Sequence, residues 1–264
     1  MAAQIGNYDY LIDWVFNDAA EIEVRLGATG IDALKGVASK SMADATAVED
    51  TRYGTLLAPG LVGVNHDHFF NFRLDIDIDG QGNSLQRDVY ALATPPADSP
   101  RRSVNVYRPE RFAIEGGIDT GHVTAKYRVV NDARINGVGN PVSYELLYAN
   151  HARLQLAPED WPARRAGFLA HDLWVTPYAP AERYAGGDYI FASRAPDGLP
   201  MWIEQQRSVE NRDLVVWANV GMHHEPRAED MPVMPMIWHS FKMRPHNFFD
   251  RNPAIDLRTG FKTQ

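Results

Sequence analysis

The sequence contains no cysteine. Disulfides and thiolate ligands are both excluded, so any metal held by these side chains must use histidine, carboxylate or backbone oxygen. No apolar run approaches the ~18 residues that span a bilayer. The first seven residues lack the basic flank and apolar core of an export signal, so a cytoplasmic protein is expected, with the periplasm left open. There is no polybasic run either: 26 Lys and Arg stand against 34 Asp and Glu, a net charge of -8. That argues against nucleic acid and against an anionic membrane surface as partners. Gly/Ser linkers, internal repeats and low-complexity tracts are also missing, and the 264 residues are read as one undivided domain.

What is present is a succession of short β-like segments. Leu11-Ile12-Asp13-Trp14-Val15-Phe16 is an apolar run, and residues 21–26 alternate polar and apolar, as a strand with one wet face does. The two are read as a hairpin. Residues 35–60 are mixed and polar and read as surface loop, closing on the turn dipeptide Pro59-Gly60. Further strands are expected over residues 103–107, 127–130, 142–148 and 213–217, with turn signals at Pro95-Pro96, Gly116-Gly117, Asn136-Gly137 and Pro141. Residues 162–170 could form two turns of helix. The prolines of residues 229–235 argue against an ordinary central strand there. The pattern implies an all-β fold, a large antiparallel β-sandwich.

Three stretches carry chemistry. In Asn65-His66-Asp67-His68-Phe69 the flanks are apolar and aromatic, so the local structure is a strand and His66 and His68 leave from one face. Paired imidazoles on a rigid strand are half of a site for zinc, copper, iron or nickel. In a chain with nine histidines the pair is equally a half-exposed strand that happens to carry two of them. The run from Leu74 to Gly80 alternates acids with aliphatics and ends in the turn formers Asp79-Gly80. Three carboxylates on one strand face would repel unless Arg73 or a cation sits among them. Downstream, Gly221-Met222-His223-His224-Glu225-Pro226-Arg227 offers a third histidine.

Taken in order, these motifs resemble the copper amine oxidases, the quinone-containing primary amine oxidases. The resemblance rests on Asn7-Tyr8-Asp9, on His66-Asp67-His68, and on His224-Glu225-Pro226-Arg227-Ala228-Glu229-Asp230-Met231-Pro232-Val233-Met234-Pro235. Between and after them, residues 172–176, 182–189 and 247–250 also look like family segments. The resemblance implies that His66, His68 and His224 bind copper, with His223 a neighbour and Met234 behind the ligands. It implies that Tyr8 is the precursor of topaquinone, with Asn7 and Asp9 flanking it. A peripheral cation, usually calcium, would be held by Asp75, the Ile76 carbonyl, Asp77, Asp213 and the Leu214 carbonyl, hard oxygen ligands of the kind calcium takes.

The activity so implied is oxidative deamination of a primary amine by dioxygen, giving aldehyde, ammonia and hydrogen peroxide. The family's aspartate base and amine channel lie well upstream of the quinone tyrosine, whereas only seven residues precede Tyr8. The chain is therefore expected to be the C-terminal portion of the catalytic domain, incomplete alone. It would be one subunit of a split enzyme of the tyramine oxidase sort, in a homo- or hetero-oligomer whose companion polypeptide brings the base. The alternative is a non-catalytic copper-binding or dimerisation module. Two local departures stand out: Gln4 occupies a position where the family often has threonine, and Asp67 one where it often has Gln or Asn. On a strand Asp67 would face away from the metal.

Overall fold

The computed structural model describes residues 1–122, 124–149, 152–189 and 197–256. In chain order its strands are β1 (Ala2–Ile5), β2 (Tyr8–Phe16), β3 (Ile22–Gly30), β4 (Leu34–Gly36), β5 (Gly54–Ala58), β6 (Leu61–Val64), β7 (His66–Asp75), β8 (Ser84–Ala93), β9 (Val104–Arg111), β10 (Gly116–Ile118), β11 (Ala125–Ile135), β12 (Pro141–Leu147), β13 (Leu173–Pro177), β14 (Leu214–His224) and β15 (Met234–His246). Among the described residues, helices are a few short turns, and none is long and apolar enough to cross a membrane. The all-β, antiparallel class expected from the sequence is the one observed.

The chain separates into two compact units. The first holds residues 1–15, 23–70 and 220–241. Here β1 and β2 form a hairpin with Ile5 opposite Tyr8 and Gln4 opposite Asp9. Its two-residue turn is Gly6-Asn7, and Gly6, at φ +65°, supplies the left-handed conformation such a turn needs. β3 lies beside β2, followed by the first part of β15. Alternation along β3 buries Val24 and Leu26, as the sequence pattern required.

A second sheet of this unit, in the order β4-β6-β5, occupies part of the region read as loop. Its outer strands are three and five residues long, too short for a period to show. β5 and β6 approach closely at Gly54, where an added Cβ would overlap the Gly63 carbonyl.

The second unit holds residues 16–22, 71–219 and 242–264. The last part of β15 pairs with β12, then β11, β8 and β9 follow; β10, β13, β14 and the end of β7 make a further sheet. Trp174, Leu199, Val215 and Trp217 form its buried core. The expected helix near 162–170 is a single turn, Trp161–Arg165, and a 3-10 turn, Gly167–Ala170.

One expectation is corrected. The acidic alternation is not a strand face: β7 ends at Asp75, and Asn83 accepts the Ile78 N–H and donates to the Gly80 carbonyl. Asp79, at φ +51°, is turned out to Arg134. The expectation for residues 229–235 holds over most of their length: Ala228–Asp230 is a 3-10 turn, and β15, which lies between β3 and β12, begins only at Met234. Its Pro235 and Pro245 are the second and twelfth of thirteen residues, so the missing donors fall near the ends of the strand.

Candidate metal centre

Strand geometry explains how the histidines meet. Period two along β7 places His66 and His68 on one side, with ring centroids 4.9 Å apart, and leaves Asp67 exposed on the other. At the end of β14 the same alternation buries His224 and exposes His223. The two outward residues pair with each other, His223 Nδ1 lying 2.5 Å from an Asp67 oxygen. His66, His68 and His224 bring their ligating atoms within 4.8 Å of one another.

Hydrogen bonds fix which nitrogens are free. His66 donates from Nδ1 to the Val64 carbonyl at 2.7 Å, leaving the Nε2 lone pair inward. His68 uses Nδ1 for the Tyr10 hydroxyl at 2.7 Å, and its buried Nε2 has no hydrogen-bond partner. His224 donates from Nε2 to Asp230 at 3.0 Å, leaving Nδ1 3.2 Å from His66 Nε2. Burial, reinforced by the His66 and His224 imidazoles, pushes His68 down to about 4, so its ring is neutral at physiological pH. Three clustered imidazoles, with one nitrogen orphaned, are a donor set suited to a borderline transition metal such as Cu(II).

Tyr8 stands in the same cluster. Its hydroxyl lies 2.7 Å from His66 Nε2 and accepts the Ala33 N–H at 3.1 Å. Burial raises the phenol above its usual range against the pull of that N–H, and nearby Asp32 adds to the rise. A bound cation would act in the opposite sense and favour the phenolate. The backbone holding Tyr8 is clamped by Asn7, whose side chain donates to the Ile31 carbonyl while its own carbonyl accepts the Ile31 N–H at 2.9 Å. Gly30, at φ +138°, is required there: a Cβ would lie 2.7 Å from the Tyr8 Cα. Asp9 is exposed. Met234 is buried at the start of β15, its carbonyl accepting the Thr29 hydroxyl at 2.6 Å.

Sequence reasoning gave no role to three residues here. Tyr10, two residues after Tyr8 and so on the same face of β2, was legible by period. Asp230 lies inside the Pro-Arg motif. Although burial works against its charge, hydrogen bonds from His224, the Arg227 N–H and the Arg227 side chain hold its carboxyl below the ordinary range. Asp32 carries no motif at all. It is buried with both oxygens lacking a hydrogen-bond partner, and Oδ1 is 3.5 Å from His224 Nδ1. Burial raises its carboxyl, a rise that His224 opposes and Asp230 reinforces.

In the second unit Asp75, Asp77 and Asp213 also gather, with carboxylate oxygens within 4.8 Å of one another. Arg73 reaches Asp75 at 3.1 Å, and Gln81 donates to Asp213 at 3.3 Å. The other Asp213 oxygen is buried without a hydrogen-bond partner. Burial, and then Asp77 and Asp75, raise the Asp213 carboxyl. Ile76 and the fully buried Leu214 adjoin these acids in sequence.

The family model for the copper amine oxidase enzyme domain matches residues 1–264. The chain is 41% identical over 262 residues to a primary amine oxidase of Klebsiella aerogenes, covering 95% of this chain and 34% of that protein. It is 38% identical over 262 residues to primary amine oxidase 1 of Arabidopsis thaliana, covering 97% and 40%. The crystal structure of a copper-containing benzylamine oxidase from Hansenula polymorpha aligns with a TM-score of 0.88 at 28% identity, covering 97% of this chain and 40% of that one. The chain thus spans 34% and 40% of the length of these two curated relatives. With three histidines and a tyrosine gathered on its strands and the enzyme-domain match running from end to end, the chain belongs to the copper amine oxidase family.

Proposed function

We propose that this chain is the C-terminal portion of a copper amine oxidase catalytic domain and serves the oxidative deamination of primary amines. The observation that carries the reading is the 2.7 Å contact between the Tyr8 hydroxyl and His66 Nε2, in a cluster where His68 Nε2 has no hydrogen-bond partner and His224 Nδ1 faces His66 at 3.2 Å. His66 and His68 through Nε2, and His224 through Nδ1, would hold copper. Copper, with a topaquinone derived from Tyr8, would supply the redox chemistry that takes amine and dioxygen to aldehyde, ammonia and hydrogen peroxide.

The chain's own residues orient these groups. The Ala33 N–H and His66 hold the Tyr8 oxygen at the metal ligands, and the Asn7 clamp fixes the backbone on which the ring is carried. Tyr10 and Asp230 set the ring orientations of His68 and His224. Met234 is assigned a place behind the ligands and Asp9 one beside the quinone, both from the family pattern. Asp75, Asp77 and Asp213, with the Ile76 and Leu214 carbonyls, form a separate site for calcium. The crowded carboxylates and the orphaned Asp213 oxygen favour that reading. The general base and the amine channel are assigned, from the family pattern, to a companion polypeptide in a homo- or hetero-oligomer.

The test is to load the metal-free protein with copper in air, treat it with phenylhydrazine, and look for a quinone adduct by absorbance and peptide mass. A hydrazone on the Tyr8 peptide is expected. Copper binding at the histidines without an adduct, even with the companion polypeptide added, would leave a metal-binding protein and not an oxidase.

A further inference from the structure

Asp32 stands apart from the other polar groups of the metal cluster because it is buried without a hydrogen-bond donor, the His224 imidazole standing 3.5 Å from it. Its side chain is 0% exposed and neither oxygen has a hydrogen-bond partner. Asp230, on the other nitrogen of His224, is by contrast satisfied by His224, the Arg227 backbone and the Arg227 side chain. A carboxylate buried without donors is costly and persists where a counter-charge arrives. Asp32 Oδ1 is 3.5 Å from His224 Nδ1, the nitrogen that faces His66 Nε2 at 3.2 Å. The orphaned Asp32 carboxylate and the orphaned His68 Nε2 therefore belong to one cluster, the first lacking a cation and the second lacking an acceptor for its lone pair.

Resting on the copper reading above, we propose that Asp32 is the anionic member of the metal centre. Three neutral imidazoles leave the full double charge of Cu(II) uncompensated. Asp32 balances half of it from a buried position, where solvent screens little. It thereby raises affinity for Cu(II) and favours it over Cu(I), whose single charge gains less from the same carboxylate. Conversely, the metal-free protein carries a buried acid that accepts no hydrogen bond, so binding and stability are coupled through this one side chain.

The experiment titrates chelator-stripped wild type, Asp32→Asn and His68→Ala with Cu(II) and, anaerobically, with Cu(I), each against a competing chromophoric chelator, and records melting temperatures with and without metal. Loss of Cu(II) binding in His68→Ala establishes the copper site independently. Asp32→Asn is expected to weaken Cu(II) by about 10- to 100-fold and Cu(I) by much less. Its metal-free form should melt about 2–4 °C above the metal-free wild type, because a buried charge that accepts no hydrogen bond has been removed. Unchanged Cu(II) affinity, equal losses for the two oxidation states, or a lower metal-free melting temperature would each overturn the role, the last by making Asp32 structural. If His68→Ala binds copper as wild type does, the copper reading itself fails, and Asp32 falls with it.

Discussion

The Tyr8 hydroxyl sits 2.7 Å from His66 Nε2, the nitrogen that the Val64 carbonyl leaves free by taking the proton on Nδ1. A phenol placed against a ligand atom, not merely near a metal site, marks this tyrosine out from the ten others in the chain. Tyr8→Phe removes two hydrogen bonds, of which only the one to His66 touches the histidine cluster, and no ligand. Copper affinity should change by no more than about tenfold, the worth of one ordinary hydrogen bond, while the phenylhydrazine adduct disappears. Competition titration and peptide mass measure the two separately.

Gly30 should be intolerant of any side chain. At φ +138°, with the Asn7 carbonyl and the Tyr8 Cα against the missing Cβ, Gly30→Ala must shift the backbone that carries Tyr8. A destabilisation of about 2 kcal/mol is expected from the strained conformation alone, read by denaturant titration. The yield of the Tyr8 adduct should fall at copper saturation, because the displaced residue is the proposed quinone precursor.

These positions show how far sequence could go. His66 and His68 were legible because strand period two forces them to one side, and the same rule put Asp67 outward, where it meets His223. Tyr8 was legible only as part of an ordered set of motifs. Asp32 was not legible, because burial and lack of donors are properties of packing and its neighbours in sequence form no pattern. The acidic run was misread for a similar reason. Alternation suggests a strand, but β7 stops at Asp75, four residues before the left-handed Asp79, and Asp75 and Asp77 gather with Asp213 from more than a hundred residues away.

The two sides of β7 and β14 should respond differently to mutation. Asp230→Asn weakens the acceptor that fixes the His224 ring, and copper affinity should drop by about 10- to 100-fold. Asp67→Asn breaks a pair whose members are 47% and 32% exposed. Such surface pairs are worth about 1 kcal/mol or less, and copper binding should not change. A Cu(II) titration of both variants against wild type decides. Equal effects would mean that the outward pair reaches the metal.

Acid sensitivity should trace to Glu145 in the second unit, away in sequence from all three ligands. Its carboxylate is buried and held by Arg244 at 3.0 Å and Lys126 at 3.6 Å, with His246 nearby. Burial alone would raise this carboxyl, but the hydrogen bonds from His246 and Arg244 and the two cationic side chains outweigh it and bring it down to about 2. An unfolded glutamate titrates near 4.3. Because the folded value is depressed, the stabilisation is fully present above about pH 5 and is lost as pH falls through 4 toward 2. Glu145→Gln should therefore be less stable than wild type at pH 7, by about 3 kcal/mol, with the gap closing as pH approaches 2. Denaturant titrations across that range measure it. A gap independent of pH would mean that the residue contributes through packing and not through charge.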